Sequence, residues 1–374
     1  MSVTIAAVRS KNDLEDFLRV PYTIYADDSD HVFPLLSEQR AFLNREENPF
    51  FKHADFDLWL ARRDGRTVGR VGACVDHYHN ETHDEKTGFF GFYEAPDDPE
   101  VATALLDTAS GWISEQGLTN MRGPACFTTN HDFLGLLVDG EQSPPVVGMP
   151  YNPRYYLPQF EAFGLDKCKD LWAWRMEADD LQVPAKIQRI IDSLLNSDSF
   201  TVRPFDMNRF DQEASTVREL YNQCWNKNWG FIPMDDAEFA HAAKDMKKMV
   251  AADFLLVAEC DGQPIGFCLT IPDFNQALKP CRGRLFPFGF LKFLWHKRKI
   301  NYARCLLLGV LPEFRHRGVD VVMVYKTFKA GFDHGIHAGE CSWILEDNRV
   351  MNTILAGLGA KVYKTYRIFD KPLS

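Results

Sequence analysis

Leu306-Leu-Leu-Gly-Val-Leu-Pro-Glu-Phe-Arg-His-Arg-Gly-Val-Asp320 decides how this chain is read. The apolar run makes a short strand, Pro312 marks a turn, Arg315 to Gly318 form a basic loop, and a helix begins near Val319. Strand, loop and helix in this order turn backbone N–H groups and the positive end of a helix dipole toward an anion. Gly318 lets a ligand approach the backbone closely. Arg315, His316 and Arg317 bring charge and donors that reach phosphate oxygens. Asp320 fits an anion poorly and is read as a partner of the helix N-terminus.

The rest of the chain bounds the answer. Its 374 residues suffice for two ordinary domains. A formal charge of −10 argues against nucleic acid as a partner. Nine scattered cysteines without CxxC spacing suggest reduced thiols and a cytoplasmic location. The early residues Lys11, Asp13, Glu15 and Asp16 lack an apolar signal core. No run approaches the roughly 20 apolar residues that span a bilayer.

The chain repeats itself. Leu58-Trp-Leu-Ala-Arg-Arg-Asp-Gly-Arg-Thr-Val-Gly69 lies on Leu255-Leu-Val-Ala-Glu-Cys-Asp-Gly-Gln-Pro-Ile-Gly266, each a strand, an Asp-Gly turn and a strand. Asn152 and Asn348 fall at nearly the same offset, each followed by a short helical stretch and a glycine, Gly164 and Gly359. The second copy reads as helices over 211–224 and 236–249, the hairpin, a strand over 304–310 and a helix to about 332. A strand over 338–345, a helix over 349–358 and a last strand follow. The sheet is therefore expected to be mixed, in an α/β fold. The expected domains are 1–180 and 200–374, joined by a helix over 181–199. In the first copy Asp97-Asp98-Pro99-Glu100 stands where the second has its basic loop, so its carboxylates would repel a pyrophosphate.

Arg315-x-x-Gly318-x-x after a strand and a Pro resembles the pyrophosphate loop of GNAT-superfamily acyltransferases. Their pattern is Gln/Arg-x-x-Gly-x-Gly/Ala, and here Asp320 replaces the last small residue. Asn348 to Lys361 resembles the family's strand-to-helix segment, with Asn348, Ile354 and Gly359 on family positions. The element order also matches. The resemblance implies tandem GNAT domains with a degenerate first copy, and acyl-CoA (acetyl or longer) as co-substrate with no permanently bound cofactor. By that analogy Leu308, Gly309 and Val310 hold the pantetheine arm, and Arg315 through Asp320 with Asn348 complete the coenzyme site. The family's general-acid Tyr would fall at Leu355, which cannot donate a proton. A thiolate leaving group, with a thiol pKa near 8.5, tolerates that loss.

Acylation of an amine needs a base for the amine's proton. Strand alternation puts Glu340, Ser342, Ile344 and Glu346 on one face. Glu340 is the first candidate base and Glu346 the second. Asp76-His77-Tyr78-His79 would place His77 and His79 on one strand face, but no second ligand group supports a metal. Trp225, Trp229, Phe231, Trp343 and His131 are read as acceptor-side residues, an aromatic wall suited to a lipid-like amine. An insertion at about 278–300 has apolar and aromatic residues between basic flanks, and no Asp or Glu occurs from Phe274 through Pro312. That composition suits a segment lying on the anionic inner face of a membrane, or a lid over an apolar ligand. These features resemble GNAT-type bacterial N-acyltransferases of sphingoid bases. An acetyltransferase of a small soluble amine and a CoA-binding protein without chemistry remain open readings.

Overall fold

The computed structural model describes residues 2–177, 185–197 and 199–373. The chain forms two compact units. Unit 1 is Met1–Leu171, Asn275–Trp295 and Lys364–Ser374; unit 2 is Trp172–Phe274 and His296–Tyr363. These units differ from the contiguous segments read off the sequence. The first part of the insertion and the chain's last residues count with unit 1, while Trp172–Glu177 counts with unit 2.

Unit 1 runs β1 (Thr4–Ala7), α1 (Lys11–Ile24), α2 (Leu36–Phe42), β2 (Ala54–Arg63), β3 (Arg66–Asp76), α3 (His77–His83), β4 (Thr87–Glu94), α4 (Pro99–Glu115), β5 (Asn120–Gly123), β6 (Leu136–Gly140), α5 (Tyr156–Phe163) and the start of β7 (Asp166–Glu177). β1 to β4 pair antiparallel in order, and β4 pairs parallel with β5. Asp76 caps α3 by accepting from Tyr78 and His79 N–H. The histidine stretch is therefore helical, not the alternating strand expected. Small polar residues after a strand favour a cap over continued pleating.

Unit 2 continues with α6 (Ala185–Leu195), β8 (Thr201–Pro204), α7 (Phe210–Trp225), α8 (Asp236–Met249), β9 (Leu255–Cys260) and β10 (Gln263–Pro272). The insertion then supplies α9 (Asn275–Leu278) and α10 (Gly289–Lys297). β11 (Tyr302–Val310), α11 (Val319–Asp333), β12 (Ala338–Leu345), α12 (Arg349–Gly357) and β13 (Lys361–Pro372) close the chain. β8, β9, β10 and β11 pair antiparallel, and β12 joins β11 in parallel. In unit 1 the end of β13 pairs with β5, Phe369 opposite Gly123. The stretch expected to join the domains carries α6, which counts with unit 2; residues 181–184 and 198 lie outside the described residues.

Both hairpins turn on an Asp-Gly pair in the left-handed region: Asp64 and Gly65 at φ 53° and 75°, Asp261 and Gly262 at 51° and 74°. Positive φ at both central residues matches the right-handed strand twist, so each hairpin closes in two residues. In unit 2 the sheet buries both faces. Val319, Val322 and Met323 of α11 pack with Val310, Cys268 and Ala258 on one face. Val217 and Leu220 of α7 pack with Val257 and Phe267 on the other. Each buried Val, Leu, Met or Phe among them contributes about 1.5–3 kcal/mol. Truncating Met323 to Ala would cost about 2–5 kcal/mol and loosen the helix whose N-terminus faces the basic loop.

Candidate active site

β10 and β11 pair with one extra residue in β11: Leu269 lies opposite Leu307 and Thr270 opposite Cys305, leaving Leu306 as a bulge. On its other side β11 pairs with β12 for four residues only, Tyr302–Cys305 against Ala338–Cys341. The ladder stops there, although the strands run on to Val310 and Leu345. The result is a wedge with its apex at Cys305 and Cys341. Past Cys305, β12 no longer pairs with the backbone of residues 306–310, and Val310 O turns to Arg315 instead. An extended ligand carrying amides, such as the pantetheine arm, can pair with that backbone as a strand would.

α11 begins past the wide end of the wedge. Its N-cap is Gly318 at φ 80°, without a side-chain cap. Asp320 Oδ1 accepts from Val321 N–H at 2.9 Å, so it serves its own helix end as expected. Val319 is buried at 1% exposure and can offer a ligand only its backbone. Arg315 departs from its expected role. Its Nε donates to Val310 O at 3.1 Å and its Nη2 to Cys224 O at 2.8 Å. It braces the strand end against α7, because an unpaired strand end and a helix C-terminus both leave carbonyls needing donors. His316 and Arg317 are exposed, with the Arg317 guanidinium over the Phe314 ring.

That brace positions Trp225. A Cβ at Gly309 would come within 2.8 Å of the Trp225 ring, so only glycine lets the indole lie on β11 beside the wedge. Trp225 also meets Phe267 at 5.5 Å and Tyr221 at 5.1 Å, and Tyr221 meets Phe231 at 5.2 Å. Trp229 and Trp343 are half-buried. His131 belongs to unit 1, where its ring meets Phe50 and Phe42 edge-on.

A buried polar network stands one residue before the apex. Arg304 and Glu340 are register partners, 2% and 3% exposed. Arg304 Nε donates to Ser342 Oγ at 3.0 Å. Ser342 in turn donates to Glu340, and the Tyr363 hydroxyl donates to the other Glu340 oxygen. Arg304 has no lone pair to accept with, so the Ser342 proton must point at Glu340. Burial and the Glu340 charge push the Tyr302 hydroxyl up from its ordinary value. Glu340 and Ser342 share a face as expected, but the alternation ends there. The Ser342–Trp343 peptide is cis, and Ile344 packs in the same cluster as Cys341. Glu346 stands at the turn into α12, its carbonyl accepting from Asn352 at 3.2 Å.

Asn348 caps α12, accepting from Met351 N–H at 3.3 Å. Leu355 is fully buried with Cys341, Val324 and Leu358, so the position of the absent tyrosine is core. Tyr363, Tyr302 and Arg304 were missed in the sequence. An arginine inside an apolar strand was the available signal, since a buried cation needs a carboxylate or strong acceptors.

Unit 1 has the same wedge, closed. β4 and β5 pair through Phe89 and Arg122, but Phe90 O then accepts from Ala125 N–H at 2.8 Å. A Cβ at Gly91 would lie 1.9 Å from Ala125 O, so the chain itself fills the slot. At the start of α4, Asp98 accepts from Glu100 and Val101 N–H, and Arg63 holds its carboxyl below the usual range. That helix end already has its anion. The His, Asp and Glu residues around α3 make no metal cluster among the described residues.

No family model matches the sequence. A tandem GNAT protein from the clavulanic acid biosynthesis pathway superposes with a TM-score of 0.61 over 100% of this chain and 99% of that one, at 13% identity. YghO of Escherichia coli K12 is 35% identical over 370 residues, 97% of this chain and 94% of that protein. A bacterial ceramide synthase of Caulobacter vibrioides is 34% identical over 378 residues, 99% of this chain and 98% of that protein. This chain belongs to the family of these two proteins, and its fold is that of a tandem GNAT protein. That fold accounts for two pseudo-repeated units, of which one keeps an open wedge.

Proposed function

We propose that unit 2 transfers the acyl group of an acyl-CoA to the amino group of a long-chain, amphipathic amine such as a sphingoid base, at a membrane surface. One observation carries the lipid part. Phe286, Phe288, Phe290, Leu291, Leu294 and Trp295 are 88, 69, 52, 64, 43 and 57% exposed, within ten residues. Lys292, Lys297, Arg298 and Lys299 lie among and after them. An apolar run of this density in water marks an interaction site, and its basic setting selects an anionic bilayer. No described helix is long and apolar enough to cross a membrane. The relative named as a ceramide synthase supports the same acceptor class.

In the reaction the amine nitrogen bonds to the thioester carbonyl carbon and the C–S bond breaks. The amine loses its proton to Glu340, directly or through the Tyr363 hydroxyl as that group passes its own proton on. Arg304 and Ser342 keep the carboxylate oriented. The thiolate leaves without a dedicated acid, consistent with Leu355 in the core. Glu340→Gln keeps the shape and removes the base; turnover should fall by about 10²–10⁴ with little change in acyl-CoA affinity. Full turnover in that variant would remove Glu340 from the chemistry.

A further inference from the structure

We propose that the acyl chain is housed in an apolar cavity that starts at the apex of the wedge and runs beneath the paired part of β11 and β12. This rests on unit 2 binding acyl-CoA. The cavity is narrow, about 40 Å³, and Cys305 and Cys341, the last pair of the ladder, form part of its wall. Thr327, Phe328 and Phe332 of α11 form the opposite wall. A pantetheine arm pairing with residues 306–310 points its thioester end at that apex. A chain continuing in the same direction enters the cavity, while Glu340 and Ser342 lie beside the carbonyl.

The cavity exists because its walls are small where the elements cross. Gly331 of α11 and Gly339 of β12 both line it. A Cβ on Gly339 would meet Ala303 O at 2.8 Å, so that glycine is required by strand contact. A Cβ on Gly331 meets nothing closer than 3.7 Å, so no packing constraint in the protein demands glycine there. Gly331 lies in the last turn of α11, its carbonyl accepting from Ile336 N–H at 2.8 Å, and a helical glycine costs up to roughly 0.5–1 kcal/mol relative to alanine. The space it leaves is the compensation we infer. A second apolar cavity of about 180 Å³ shares Met176, Phe328 and Phe332 with the first. Rotation of the two phenyl rings would join them, which extends the room for a long chain.

The thiols in this wall suit an apolar ligand. Outside the lining itself, Cys268 Sγ lies 3.7 Å from Sγ of the wall residue Cys305 and 3.5 Å from Thr327 Oγ1, and the Cys305 contact together with burial pushes the Cys268 pKa well up. Neutral, weakly polar thiols lay no charge against a hydrocarbon chain.

The test is the acyl-CoA chain-length profile of the wild type and of Gly331→Leu. Affinity of the wild type should rise with chain length, by at most about fourfold per buried methylene. Gly331→Leu fills the cavity from a helical position. It should lower long-chain affinity and turnover at least tenfold relative to acetyl-CoA in the same protein. Gly331→Ala, which fits with only ordinary van der Waals contact to Ile336, serves as the folding control and should shift the profile less. A flat wild-type profile, or equal losses for short and long chains in Gly331→Leu, overturns the proposal while CoA binding stands. Absence of binding by every CoA species would instead overturn the acyl-CoA reading itself.

Discussion

Replacing Phe286 and Phe288 together by Ser should release the protein from anionic vesicles without unfolding it. The two rings flank Pro287 and are 88% and 69% exposed. Fully burying a Phe side chain is worth about 1.5–3 kcal/mol. Scaling by the exposed share, and halving for partial burial at headgroup depth, leaves about 2 kcal/mol for the pair. The partition coefficient should therefore drop roughly thirtyfold. The folded monomer should change by no more than about 0.5 kcal/mol, since exposed side chains make few contacts to lose. Co-sedimentation with phosphatidylserine-containing vesicles reads the partition, and a urea melt reads the fold. Lys297/Arg298/Lys299→Ala should weaken binding by a further salt-dependent amount, on the order of 1 kcal/mol per charge. Equal sedimentation of wild type and the serine variant, or no binding by the wild type, would refute the membrane assignment.

Two other outcomes follow from the geometry. His31 stacks on Tyr25 at 3.8 Å, both ring nitrogens are buried without a hydrogen-bond partner, and burial lowers its pKa to about 3 despite nearby Asp28. The unfolded chain takes up this proton near pH 6.5 and the folded chain does not, so stability should fall as pH drops from about 6.5 toward 3. The loss is at most roughly 3–5 kcal/mol, and His31→Phe should flatten the slope in urea melts across that window; an unchanged slope would exclude His31. Arg315→Ala should lower stability by about 1.5–3 kcal/mol through the two carbonyls it leaves, and raise the KM for acyl-CoA only through the displaced Trp225. A large loss of CoA affinity with unchanged stability would return Arg315 to the phosphate.

Much of the fold was legible because its signals are local. An Asp-Gly pair dictates its own φ angles, so both hairpins and their repeat could be read directly. Helix α8 and strand β12 have the bounds expected from periodicity and caps. The roles of single side chains were less legible because they depend on distant partners. Arg315 looks like a phosphate ligand until Cys224, 91 positions earlier, places a carbonyl beside it. Tyr363 sits in an aromatic strand with no local mark of its bond to Glu340. The histidine stretch failed for another reason: Asp76 caps a helix where alternation suggested a strand. The closed wedge of unit 1 was legible only at Asp98, since the chain that fills its slot comes from residues after β5.

The most direct measurement is mass spectrometry of the products when purified protein, palmitoyl-CoA and a sphingoid base are incubated with anionic vesicles. An N-acyl amide and free CoA should form in equal amounts, both lost in Glu340→Gln. Free CoA released with palmitic acid and no amide, or amide formed at an undiminished rate by Glu340→Gln, would contradict the proposed transfer.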